Sequence, residues 1–132
     1  MLKKNINFTI CDKKIILPIN FQLIEVVERI YDMNVDYVAG ILLRDLKNIK
    51  ISKLCDVICE FVDLSTSRLA DKDVRDFVYQ CDAKELTKII AVVQSVCLYM
   101  RKYISEEEME LMLEENEVDD SKKNDGKTPD GP

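Results

Sequence analysis

The chain has no histidine and no tryptophan, and only three glycines and three prolines. The missing histidine removes Ser-His-Asp and Cys-His nucleophilic chemistry, imidazole-ligated metals and imidazole pH switching together. The glycines are Gly40, Gly126 and Gly131. They cannot assemble a Gly-rich phosphate loop, so nucleotide folds of the P-loop or dinucleotide type are excluded. No apolar run approaches the roughly 20 residues a spanning helix needs. The most apolar stretch, Ile89–Met100, holds Gln94 and Ser95 and sits between Lys88 and Arg101. It reads as a core helix, and no membrane is expected. These gaps point away from an enzyme and leave no cofactor to expect.

Five cysteines are present: Cys11, Cys55, Cys59, Cys81 and Cys97. An odd number at irregular spacing does not make a disulfide framework. Lys3 and Lys4 lead into Asn5 and Asn7 rather than an apolar signal segment. Buried thiols in a reducing cytoplasm are the expectation. Cys55 and Cys59 share one helical face, but no C-x-x-C pair completes a thiolate metal site.

Length and composition fit one domain: 132 residues with 47% apolar content. The net charge is −6, and it is unevenly spread. Residues 1–104 carry 16 basic and 14 acidic side chains, and residues 105–132 carry 3 and 11. A near-neutral body with an acidic extension argues against nucleic acid as a partner for the whole chain. The body itself is not excluded.

Asn5–Ile10 alternates polar and apolar residues, as a half-buried strand does. Lys14–Leu17 is apolar and β-branched, and Pro18 ends it. The two form a hairpin around Cys11-Asp12-Lys13, without the Asn-Gly signal of a tight primed turn. From Asn20 the period becomes helical. A first helix, capped by Asn20, buries Leu23, Ile24, Val27 and Ile30 and ends near Asp32. A second is expected over Asp36–Leu46 with Val38, Ile41 and Leu42 inward. A third runs from a Ser52 cap to Leu64. Asp71 is expected to cap a short fourth helix. Asp82, with Glu85 three residues on, opens the longest stripe: Leu86, Ile89, Ile90, Val93, Val96, Cys97 and Met100. Ser105 and Glu108 repeat the capping-box spacing. Residues 116–132 are polar and Gly/Pro-punctuated, a composition expected to be disordered. The expected fold is therefore α+β and mostly α. A hairpin precedes a five- to six-helix array (1–104), an acidic amphipathic extension (105–115) and an acidic tail (116–132).

Three side-chain groups invite a function. The acidic clusters Asp71/Asp73/Asp76 and Glu106/Glu107/Glu108/Glu110 alternate with basic residues or open a helix, so they read as solvated faces. Arg44, Lys47, Lys50 and Lys53 form a basic patch suited to nucleic acid or another protein. The apolar surplus of Leu86, Ile89, Ile90 and Val93, with Met109, Met112 and Leu113, offers surface to a polypeptide.

The order of these parts resembles the small tail-assembly chaperone family of gene transfer agents and long-tailed phages. Asn5–Ile19 is similar to its opening hairpin, and Phe21–Ile30 (FQLIEVVERI) to its first helix. Val35–Leu46 and Ile51–Val62 resemble the helices that close its first half. Leu69–Val78 and Leu86–Met100 look like its closing short-helix, long-helix pair. Relatives carry glycine in the hairpin turn and after the first helix, where this chain has Cys11-Asp12-Lys13 and Asp32-Met33-Asn34. The resemblance implies a non-enzymatic cytoplasmic protein that binds a tape-measure or tail-tube partner during assembly. Leu86, Ile89, Ile90, Val93 and the hairpin edge would be its contacts, and a homo-oligomer would be compatible with them. The alternative is a small helical regulatory domain acting through the Arg44–Lys53 patch.

Overall fold

A computed structural model of the chain describes residues 5–114. It is α+β: an N-terminal antiparallel hairpin followed by six α-helices among the described residues. The expected disordered tail lies outside them.

Strands β1 (Asn5–Ile10) and β2 (Lys13–Pro18) pair with Ile10 opposite Lys13 and Asn5 opposite Pro18. Alternation sends Ile6, Phe8, Ile10, Ile15 and Leu17 into the core. Only Cys11 and Asp12 form the turn, with φ of 55° and 62°. Two successive left-handed residues are the signature of a type I′ turn, which matches the strand twist. The primed turn is present without the glycine that normally announces it.

Helix α1 (Phe21–Tyr31) starts where Asn20 Oδ1 accepts from the Gln22 N–H at 2.9 Å. It stops at Asp32, whose φ of 56° turns the chain out of the helix. Its buried residues are Leu23, Val26, Val27 and Tyr31; Ile24 and Ile30 are half-buried. Helix α2 is only Val35–Gly40, which corrects the expected Asp36–Leu46 helix. Beyond it come two 3₁₀ turns, Leu42–Arg44 and Leu46–Asn48. Gly40 is a weak helix former. Asp45 is extended and its Oδ1 accepts from the Lys47 N–H at 3.0 Å, which opens a new turn instead of continuing the old one. Ile41 and Tyr37 are consequently exposed and Leu43 takes the core position.

Helix α3 (Ile51–Leu64) is the central element. Leu54, Cys55, Val57, Ile58, Cys59, Phe61 and Val62 are all buried, and it touches β2, α1 and α4. Its N-cap is Lys50 and not the expected Ser52, because the backbone is already helical at Ile51. Helix α4 (Asp71–Gln80) is likewise capped by Ala70. Asp71 is its first helical residue, where its charge complements the exposed N–H groups. Helix α5 (Ala83–Met100) begins as expected, with Asp82 Oδ1 accepting from the Glu85 N–H at 2.9 Å.

A backbone device ends α5. Tyr103 N–H donates to the Leu98 carbonyl at 2.9 Å and Lys102 N–H to the Tyr99 carbonyl at 3.0 Å. Lys102 sits between them at φ 68°. This is a Schellman motif with lysine where glycine is usual. A sixth helix, α6 (residues 106–114), follows. Its capping box closes both ways: Glu108 N–H donates to Ser105 Oγ at 3.1 Å, and Ser105 N–H to Glu108 Oε1 at 2.8 Å. Met109 is fully buried and belongs to the same core as the hairpin and helices. Helix α6 is therefore packed on the domain and is not a separate extension.

Candidate partner-binding surface

The seven apolar residues expected to face a partner separate into core and groove. Val93 and Met109 have no exposed surface, so as contacts they are corrected to core. Leu86 is half-buried. The other four border two concavities, Ile89 and Ile90 from buried core positions. Ile89 and Leu113 line one of about 400 Å³, and Ile90 and Met112 line one of about 480 Å³.

The first groove lies where the hairpin tip meets the helices. Phe8, Ile58, Phe77 and Val92 add apolar walls, and Thr9, Cys11, Asp12, Glu85 and Lys88 supply polar groups. Its volume is in the range of ligand or side-chain sockets. The hairpin edge is expected among the contacts; that Phe77 shares its groove is not. The tight turn at Cys11-Asp12 places both of its residues in that lining. The second groove runs between the 3₁₀ turns and α5, with Leu43, Leu46, Ala91 and Gln94 in its lining. Gln94 Nε2 donates to the Ala39 carbonyl at 2.9 Å, tying α5 to α2 beside it. Arg101 reinforces that pairing through Nε and Nη2 to both Asp36 oxygens, at 2.9 and 3.1 Å. The bond from Arg101 holds the Asp36 carboxyl below its ordinary pKa.

Two of the four basic residues bond backbone carbonyls. Lys53 Nζ donates to the Ile30 carbonyl at 2.9 Å, closing the end of α1. Arg44 Nη1 donates to the Gly40 carbonyl at 3.3 Å and borders the second groove. Lys47 and Lys50 are exposed. Among the acids, Asp71, Asp73 and Asp76 are exposed on α4, and Asp76 pairs with Lys72 at 2.8 Å. Arg75 reaches Asp56 at 2.7 Å, and Arg29 pairs with Glu60.

All five cysteines are free thiols. Burial pushes the Cys97 thiol up to about 12 and the Cys59 thiol to about 11. Burial raises Cys11, Cys55 and Cys81 as well. Thiols held protonated are poor nucleophiles. Among the described residues no group of three Cys, Asp or Glu is placed to hold a metal ion. No described helix is long and apolar enough to cross a membrane. What the arrangement can do is accept apolar side chains. Comparison with models of protein families, with curated proteins and with solved structures returns no match.

Proposed function

We propose that this protein is a non-enzymatic adaptor that binds another polypeptide, acting as an assembly chaperone for a phage-like tail. The observation that carries the reading is the pair of grooves on either side of α5, whose apolar lining includes Ile89 and Leu113 in one and Ile90 and Met112 in the other. A helical client such as a tape-measure or tail-tube segment presents apolar side chains every three or four residues, which such grooves can receive. Helix α6 carries Glu106, Glu107, Glu108, Glu110 and Glu114, and no basic residue. That charge favours a client whose apolar stripe is flanked by lysine or arginine.

The test is co-expression with the tape-measure and tail-tube proteins encoded in the same genome, followed by size exclusion and titration calorimetry. A stoichiometric complex is expected. The paired change Met112→Arg and Leu113→Arg is expected to weaken it at least tenfold without loss of helicity. Absence of a complex with either protein overturns the tail-assembly reading. A complex indifferent to both changes overturns the grooves as its site.

A further inference from the structure

The two edges of the hairpin are treated differently. The type I′ turn makes Ile10–Lys13 a hydrogen-bonded pair, so Phe8–Ile15 and Ile6–Leu17 are bonded pairs too. The backbone groups of Lys14 and Ile16 therefore point outward from β2, and those of Asn5, Asn7 and Thr9 outward from β1. On β2 the outward carbonyls are bonded. Thr66 N–H donates to the Ile16 carbonyl at 3.1 Å, and Ser67 Oγ to the Lys14 carbonyl at 2.9 Å. Pro18 has no N–H to leave unpaired. On β1, no described residue bonds the outward groups of Asn7 or Thr9.

An open edge is a pairing template, and proteins normally blunt it with lysine, proline or a bulge. β1 has none of these: in a chain that is 33% charged, Asn5–Ile10 holds no charge, and its pairing is regular. β2, whose outward carbonyls are bonded, is the strand that carries Lys13 and Lys14.

We infer that β1 pairs with β1 of a second copy, antiparallel about a two-fold axis at Asn7, giving a four-stranded sheet across a symmetric dimer. The sequence is self-complementary in that register. Asn7 meets Asn7 of the second copy, and Asn5 meets Thr9, each exchanging both backbone bonds on the exposed polar face. On the buried face Ile6 lies beside Phe8 of the second copy. A slip by one residue would turn the outward backbone groups away from the partner and mismatch the faces. A slip by two residues loses a bonded pair. The two-fold axis uses the β1 edge of each copy, and on the far strands the outward carbonyls are already bonded, so the assembly closes at two.

The test uses the full chain. Sedimentation equilibrium is expected to give twice the 15.3 kDa monomer mass, and hydrogen exchange to show the Asn7 and Thr9 amides protected. Asn7→Lys places two like charges opposite each other. It is expected to raise the dimer dissociation constant at least tenfold at low salt with unchanged circular dichroism. Mixing Asn7→Lys with Asn7→Asp is expected to restore the dimer. A monomeric wild type at 100 µM overturns the inference, including one whose amides gain protection only when another polypeptide is added. So does a dimer that Asn7→Lys leaves intact.

Discussion

Cys97 links burial to a measurable pH dependence. Its side chain is fully buried on α5, and burial raises the thiol from 9.0 to about 12. Glu28 adds to the effect. The unfolded chain therefore releases this proton before the folded one does. The stabilisation is complete below pH 9 and is lost as pH rises through 12. Linkage over those two values removes on the order of 1 kcal/mol by pH 10 and roughly 3 kcal/mol by pH 11. Cys97→Ala abolishes this term and opens a small void, costing roughly 1–1.5 kcal/mol at pH 7. The wild type is thus expected to be the more stable protein at pH 7, equal to the variant near pH 10, and the less stable at pH 11. Urea titrations of both proteins at pH 7, 9, 10 and 11, followed by far-ultraviolet circular dichroism under reductant, measure the crossing. Cys59 and Tyr31 are also raised by burial, to about 11 and about 12. Cys59 steepens the alkaline limb of both proteins alike, whereas part of the Tyr31 shift comes from Cys97 itself and goes with it in the variant. A stability gap that stays constant from pH 7 to pH 11 refutes the reasoning.

Three further outcomes follow from single side chains. Tyr31 Oη is buried with no hydrogen-bond partner among the described residues. Tyr31→Phe removes that hydroxyl and is expected to raise stability by about 1 kcal/mol; a loss of similar size in urea unfolding would mean the hydroxyl is satisfied. Lys102 occupies the left-handed position of the Schellman motif, so Lys102→Gly is expected to stabilise by about 1 kcal/mol and raise the melting temperature. Met109→Ala is expected to cost about 2–4 kcal/mol. It should also speed amide exchange through residues 106–114 before the rest of the domain, and uniform exchange would contradict a separately anchored α6.

The parts that could be read in advance are those where a side chain states its own role. Asn20 and Asp82 are short acceptors placed before a helical stripe, and both cap the helices expected of them. The parts that could not be read are those where backbone conformation runs against residue type. Cys11, Asp12, Asp32 and Lys102 all adopt positive φ without being glycine. Nothing in their identities marks a primed turn or a helix stop. Asp32 and Asp12 have short polar side chains that tolerate the region, whereas Cys11 and Lys102 are held there by the structure around them. The break after Gly40 had a visible cause in Asp45, but Ile41 and Leu42 continue the helical spacing and outweigh it in the pattern. The α5 stripe shows a different limit. Val93 and Ile89 have the same chemistry, fall on the same period and are both buried, yet Ile89 also borders a groove. Periodicity reports which face is apolar and not what covers it.

The charge asymmetry gains meaning from α6. Sequence alone assigns the acidity to an extension beyond a near-neutral body. Five of its eleven acids stand on residues 106–114, with no base among them, and Met109 seats that helix in the core. Glu108 is partly spent on the capping box, and Glu106 and Glu107 lie at the helix start, where negative charge is favoured. These three have local structural reasons to be acidic. Glu114 lies farther along, beyond the first turn, where the helix dipole gives no such reason. Its neighbours Met112 and Leu113 line the two grooves. The acidic surface is thus fixed beside the apolar sockets and does not trail from the domain. Fixed charge next to an apolar socket selects among partners by sign before contact is complete, which a solubilising tail does not do. On the adaptor reading, Glu114→Lys should leave the fold intact, slow association with a basic client, and weaken the salt dependence of the rate. A salt dependence equal to that of the wild type would return α6 to a purely structural role.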